Sequence, residues 1–327
     1  MKNEHSHDKR HSHVSVDPVV LTTQRGMWAI KWSLLGLLAT AILQGGVVFL
    51  SGSVALLADT IHNLGDAGTA VPLWIAFALA RAKPSRRFTY GLGRVEDLAG
   101  VAIVLTILFS AVFAGYESIM RFLNPQPVGY LWAVAVASII GFLGNEAVAR
   151  FRIGVGKEIG SAALVADGYH ARIDGLTSLA VLFSAGGVWL GYPLADPIIG
   201  LLITVALLRI VWESAGAVFT RLLDGVDPEV TDEIKHAASH VERVKEVTQV
   251  RTRWLGHRLH AEVNITVDPQ VTVAEGHNIA METQHQLLHH LRYLSKATMH
   301  VDPVGVSGEE YHRIENHAHD GMPPHSH

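Results

Sequence analysis

Between Met27 and Arg221 the chain alternates long apolar runs with short polar breaks. The runs cover about Met27–Leu50, Val54–Ala80, Val95–Phe122, Gly129–Arg150, Ser161–Leu190 and Pro197–Arg221. Each is long enough to cross a bilayer as a helix, so six membrane spans are expected. Ser51–Ser53, Arg81–Arg94, Phe151–Gly160 and the Gly191–Pro193 turn supply the breaks. Beyond Leu222 the pattern changes. Asp227, Pro228 and Glu229 read as the cap, first residue and acidic first turn of a helix that runs to about Glu242. Lys245–Trp254 and Arg258–Asp268 read as strands. In the second, His260, Glu262, Asn264 and Thr266 alternate with Leu259, Ala261, Val263 and Ile265. A helix over Val273–Tyr293 and a strand over Ala297–Val301 complete an α-β-β-α-β order. The expected fold is therefore an α-helical membrane protein: a six-helix transmembrane bundle followed by a small α+β domain, ferredoxin-like in plan. The expected divisions are a His-rich disordered tail at 1–24, the membrane domain at 25–222, the α+β domain at 223–304 and a second His-rich disordered tail at 305–327.

Composition agrees with a membrane protein. The chain is 49% hydrophobic and only 17% charged, against about 25% charged in soluble domains. It has no cysteine, which excludes disulfides and thiolate metal sites and leaves histidine as the nitrogen donor. The N-terminal stretch has no apolar core of the kind a cleavable signal peptide needs. Lys and Arg gather in Arg81–Arg94 and in the connection holding Arg150, Arg152 and Lys157. The positive-inside rule puts both loops in the cytoplasm, and with an even span count both termini lie there too.

Two of the spans carry the same eight-residue pattern, D-x-x-H-x-x-x-D: Asp59, His62 and Asp66 in one, Asp167, His170 and Asp174 in the other. His and the second Asp are four residues apart, so on a helix they share a face one turn apart. Two such helices would present two imidazoles and two carboxylates, a donor set that suits Zn²⁺. Ionisable groups at membrane depth cost roughly 2.5–3.5 kcal/mol each, so they read as functional. One such pair alone would also fit a buried structural contact. Asp59 and Asp167, three residues before each His, read as orienting partners or as lining an aqueous path. Glu96, Asp97, Glu117, Asn145 and Glu146 lie near the expected span ends, where snorkelling is the default. Glu146 is a candidate relay.

Six spans, the paired H-x-x-x-D motifs and Tyr90-Gly91-Leu92-Gly93-Arg94-Val95-Glu96 at the third span resemble the cation diffusion facilitator family over about Met27 to Asp302. That resemblance implies a homodimeric antiporter in a lipid bilayer, exporting divalent metal ions in exchange for protons; the compact architecture suggests a bacterial inner membrane. It implies one tetrahedral site per subunit at His62, Asp66, His170 and Asp174, with Zn²⁺ as substrate and Cd²⁺ and Co²⁺ also accepted. The α+β domain would be cytoplasmic, serving dimerisation and regulatory metal binding. His277, His300 and Asp302 match positions of that regulatory site. Asn264 and Thr248 depart from it, and His260 and Glu262 are the neighbours placed to compensate. Arg81–Arg94 holds no His or acid, so no metal site is expected there. His285, His289 and His290 read as a solvated helix face. The H-x-H pairs of the tails (His5/His7, His11/His13, His317/His319, His325/His327) fit either metal scavenging or plain solvation.

No catalytic cofactor and no nucleic-acid partner are expected. A membrane enzyme is the rival from another class, but the chain has no H-E-x-x-H and no nucleophile motif. A passive channel, a membrane-anchored metal sensor and an Fe²⁺ or Mn²⁺ exporter are the other readings.

Overall fold

A computed structural model describes residues 18–51, 70–123, 131–192, 194–291 and 293–307. The helices in chain order are α1 (Pro18–Ser51), α2 (Ala70–Ala80), α3 (Val95–Leu123), α4 (Leu131–Ile159), α5 (Ala162–Trp189) and α6 (Ala195–Leu222). Four stretches, Thr22–Leu50, Val95–Met120, Leu131–Ile159 and Ile198–Leu222, are long and apolar enough to cross a membrane. Helix α5 is as long, at 28 residues, but it carries Asp167, Arg172 and Asp174 within its length. Helix α2 is short and wholly apolar. The first octapeptide, with Asp59, His62 and Asp66, lies outside the described residues, as do both H-x-H tails.

Two boundaries differ from the sequence expectation. Helix α1 begins at Pro18, so residues 18–24, read as tail, belong to the bundle. The cause is long-range: Thr23 is buried against the C-terminal domain, and Arg25 pairs with Glu158 at 3.5 Å. Helix α4 runs on to Ile159, through the stretch read as a polar connection. Arg152 therefore sits inside the bundle and drops out of the loop charges used for orientation.

The bundle core is built from Ile30, Leu73, Phe77, Ile103, Ile107, Leu164, Ile173 and Leu207. Helices α4 and α5 approach closely because small residues face one another. A Cβ on Gly168 of α5 would come within 2.9 Å of the Ile153 backbone nitrogen of α4. That closeness brings the second octapeptide against α4.

The C-terminal domain follows as α7 (Pro228–Ser239), β1 (Glu246–Leu255), β2 (Arg258–Val267), α8 (Val273–His290) and β3 (Leu294–Pro303). The sheet order is β1-β2-β3; β1 and β2 are antiparallel, and β2 and β3 are parallel across the α8 crossover. The α-β-β-α-β expectation is met. Asp227 caps α7 through the Glu229 N–H at 3.1 Å. A reciprocal Thr272–Glu275 box opens α8. The alternation of β2 decides the layers: Leu259, Val263 and Ile265 are buried with Ile234 of α7 and Ile279 and Leu287 of α8. His260, Glu262 and Asn264 face the other way.

The β1–β2 hairpin tip is seated in the end of the bundle. His257 is buried; its Nδ1 lies 2.6 Å from Glu96 Oε2, its backbone N–H donates to the same oxygen at 3.2 Å, and its Nε2 lies 2.9 Å from Thr23 Oγ1. The Gly256 N–H donates to Asp97 Oδ2 at 3.3 Å. Arg258 donates to the Ala80 carbonyl at 2.8 Å. Arg221 of α6 covers the Trp254 ring, 4.3 Å from its centroid, and donates to the Gly160 carbonyl. Glu96 and Asp97, expected to snorkel, are buried at 1% and 4% exposure because this tip covers them.

Gly256 has φ +64, and a Cβ there would lie 2.6 Å from the Gly93 carbonyl and 2.7 Å from Glu96 Oε2. Gly256→Ala is therefore expected to cost about 1–3 kcal/mol through strain and lost seating. Thermal unfolding in detergent checks it, with Gly154→Ala, which meets nothing within 4 Å, as the control that holds its midpoint. Equal midpoints for the two variants would contradict the seat.

Candidate functional site

The second octapeptide lies on one stripe of α5. His170 is buried, and its Nε2 lies 3.9 Å from Asp174 Oδ2 one turn on. Asp174 is about 18 Å along the helix from its start at 1.5 Å per residue, near mid-depth for a span. Its side chain keeps 13% exposure, against 1% for His170. A polar layer surrounds that level. Ser178 Oγ donates to the Asp174 carbonyl at 3.1 Å. A Cβ on Gly141 of α4 would touch both Ser178 Oγ and Gln44 Nε2 of α1, at 2.7 and 2.8 Å. Asn145 is buried at 4%, its Cβ facing Gly175. Snorkelling fails for Asn145 because the longer α4 places it mid-helix. Gln44 was missed by sequence reasoning; a lone amide in the middle of an apolar run was the signal.

Asp167 has a separate role. Its Oδ2 lies 2.9 Å from Arg152 Nη1, with side-chain exposures of 0% and 1%. Arg152 Nε also donates to Ser33 Oγ of α1 at 2.9 Å, and Ser33 donates to the Ile30 carbonyl at 3.0 Å. One buried ion pair thus ties α5 to α4 and α1. Glu146, the relay candidate, is clamped in the same manner. It accepts from Arg172 Nε and Nη2 at 3.1 and 3.2 Å and from Arg150 Nε at 2.7 Å. The side chain of Glu117 lies outside the described residues.

The residues expected to form a cytoplasmic metal site are only partly brought together. His300 Nε2 lies 2.9 Å from Asp302 Oδ1, and Ser307 Oγ lies 3.0 Å from both Asp302 Oδ2 and Thr248 Oγ1. Asn264 stands opposite His300 in register, with its side-chain amide 3.3 Å from that of Gln249. His277 is exposed on α8, which covers the opposite face of the sheet. Among the described residues no three His, Asp or Glu groups converge on a metal-sized site. His260 does not fill the gap at Asn264. They are four positions apart along the strand, about 13 Å, and His260 pairs with Lys296 rather than His300. Burial, then Lys296, Arg253 and Arg258, push the His260 imidazole down to about 4. Glu262 is drawn to Arg253 at 3.7 Å. In the Arg81–Arg94 loop, Arg94 pairs with Asp224 and donates to the Leu222 carbonyl at 3.1 Å.

Comparison with known proteins identifies the chain's kin. A family profile described as the cation efflux transmembrane domain matches residues 30–223, and one described as the cation efflux protein cytoplasmic domain matches residues 226–304. The chain belongs to the cation diffusion facilitator family. A probable cation efflux system protein of Mycobacterium tuberculosis is 54% identical over 92% of this chain and 90% of its own length. The manganese efflux system protein MneP of Bacillus subtilis is 25% identical over 86% of this chain and 99% of its own. The zinc transporter ZitB of Shigella flexneri is 27% identical over 99% and 98%. Among solved structures, a single-residue variant of MamM CTD is 26% identical, covers 23% of this chain and 93% of its own, and has a TM-score of 0.23. The protein is thus a membrane transporter of metal ions of the cation efflux family, with its α+β unit matching that family's cytoplasmic domain.

The charges of this cation efflux protein generate two predictions. Arg152→Met strands a buried carboxylate and is expected to cost about 3–5 kcal/mol. Adding Asp167→Asn to the same chain should restore most of it. Thermal midpoints of both variants in detergent test this; a double variant no better than the single one would refute the pairing. For His260, folding lowers the imidazole from 6.5 to about 4. Between those values the unfolded chain holds a proton that the folded chain rejects, so stability rises with pH across that window. His260→Gln should flatten this limb in a pH series of denaturation midpoints.

Proposed function

We propose that this transporter exports divalent cations, Zn²⁺ first and Cd²⁺ and Co²⁺ also, from the cytoplasm in exchange for protons. The substrate site is His62, Asp66, His170 and Asp174, and the protein alternates its access between the two sides of a bacterial inner membrane. The observation that carries the reading is the neighbouring pair of His170 and Asp174, 3.9 Å apart at mid-depth in α5. The other acids of the same helix region, Asp167 and Glu146, are held by arginines. The first octapeptide, with the same spacing, supplies the other imidazole and carboxylate.

Chemistry supports the antiport. A metal ligand must be deprotonated to bind, so a cation and protons compete for one site. Imidazole titrates near neutral pH, which makes the exchange responsive to a physiological gradient. Two nitrogen and two oxygen donors suit tetrahedral Zn²⁺; Mn²⁺ favours more oxygen and octahedral geometry. The zinc and manganese names of two relatives keep both metals in the experiment. The working unit is a homodimer, with both termini cytoplasmic and the α+β domain providing dimer contacts and a regulatory metal site.

Zinc uptake into proteoliposomes under an imposed pH gradient tests the reading for the wild type, Asp174→Ala and His62→Asp. Uptake should need the gradient and vanish in Asp174→Ala. His62→Asp should shift the pH profile of transport. Uptake independent of the gradient would favour a channel; movement of Mn²⁺ or Fe²⁺ without Zn²⁺ would overturn the metal assignment while leaving the family standing.

A further inference from the structure

The C-terminal domain carries histidines that neither the transport site nor the His300–Asp302 pair uses. Two pairs stand one helical turn apart on exposed helix faces, the arrangement that lets two side chains meet. In α7, His236 and His240 have ring centroids 4.3 Å apart. In α8, His285 and His289 repeat the spacing at 5.2 Å. All four residues are exposed.

The α7 pair has a feature the other lacks. His240 Nδ1 lies 2.8 Å from the His236 carbonyl oxygen. A carbonyl only accepts, so Nδ1 carries the proton and Nε2 carries the lone pair. A ring N–H donated to a backbone carbonyl is how metal-binding imidazoles are commonly oriented and made better donors. Ser239 Oγ donates to the same carbonyl at 2.7 Å, and His240 is itself the C-cap of the helix. The ring is thus held at the helix end with its donor nitrogen outward. The rings are 4.3 Å apart, so a small opening of the pair lets a nitrogen of each reach about 2.0–2.1 Å from one ion. Asp232 stands one turn earlier on the same stripe. No third donor group converges on the pair among the described residues, so water would complete the coordination.

We infer that His236 and His240 form an open, two-imidazole site for a divalent transition-metal cation such as Zn²⁺. The site is separate from His300 and Asp302, because α7 packs on the face of the sheet opposite to His300. Imidazole donors select borderline cations over Mg²⁺ and Ca²⁺, which take oxygen ligands. Open water positions make the site one of exchange, able to take up and give back the transporter's own cargo. The α8 pair has no carbonyl lock among the described residues, so it binds the same ions more weakly.

The test is histidine acylation by diethylpyrocarbonate on the intact protein in detergent, read residue by residue by mass spectrometry, with Zn²⁺ or Mg²⁺ added. Zn²⁺ should slow labelling of His236 and His240 together, with one midpoint below that of His285 and His289, and Mg²⁺ should leave all four unchanged. In His240→Gln the Zn²⁺ midpoint at His236 should rise by about tenfold or more, while in His300→Asn it should stay put. Unchanged labelling of the other histidines without metal shows that each variant is folded. Equal protection of His236 with and without His240 would overturn the site, and so would labelling of both that Zn²⁺ does not alter. The readout does not involve transport, so it stands or fails apart from the proposed antiport.

Discussion

A charge inside a bilayer has no water to turn to, so it must find its partner in the protein. That constraint organises the membrane half of this chain. Arg152 and Asp167 meet across α4 and α5 at 2.9 Å, and Arg152 reaches Ser33 of α1 on its other side. Arg172 and Glu146 make a second tie between the same two helices. With Gly168 pressed onto Ile153, these ties set the rotation of α5, and the rotation decides where His170 and Asp174 point. Burying a pair of charges is seldom a net gain in stability, because desolvation offsets the attraction. What such pairs supply here is orientation: slipping α5 by one residue would strand two carboxylates.

The second organising contact joins the two halves. The hairpin tip at Gly256 and His257 touches α1 through Thr23, α2 through the Ala80 carbonyl and α3 through Glu96 and Asp97. Arg221 brings α6 onto Trp254. Four helix ends therefore meet one β-turn. An apolar bundle has little to fix the spacing of its helix ends in lipid, since lipid is as apolar as leucine. A polar plug with directional hydrogen bonds does fix it. The same contact explains why the stretch read as tail is helical from Pro18: Thr23 and Arg25 gain partners that only the folded chain provides.

Periodicity carried most of the fold. The α-β-β-α-β order and the inward and outward faces of β2 follow from alternation, which is a local property of the chain. The octapeptide was legible for the same reason, since its spacing repeats. Residues whose role depends on distant partners were not legible. Arg152 reads as a loop cation by position, yet it is buried because Asp167 and Ser33 surround it. Glu96, Asp97 and Asn145 read as interfacial, and each is covered by an element far away in sequence. His260 shared a strand face with Asn264, but register pairs it with Lys296, and a neighbouring ammonium makes a poor companion for a bound cation.

The two aspartates of the second octapeptide show how one residue type divides its work. Asp167 and Asp174 are seven residues apart on one stripe of α5, with the same intrinsic acidity. Asp167 is sealed at 0% exposure against a guanidinium, while Asp174 keeps 13% and lies 3.9 Å from the His170 imidazole. A scaffold charge works best when nothing exchanges with it. The role proposed for Asp174 has the opposite requirement: a carboxylate that carries cargo must be reached by an ion, must release it, and must tolerate both states without collapse of its surroundings. The polar side chains at that level of the helix contact, Ser178, Gln44 and Asn145, are all neutral. Neutral groups can follow a change of charge without carrying one, whereas an arginine held against a carboxylate competes with any cation for it.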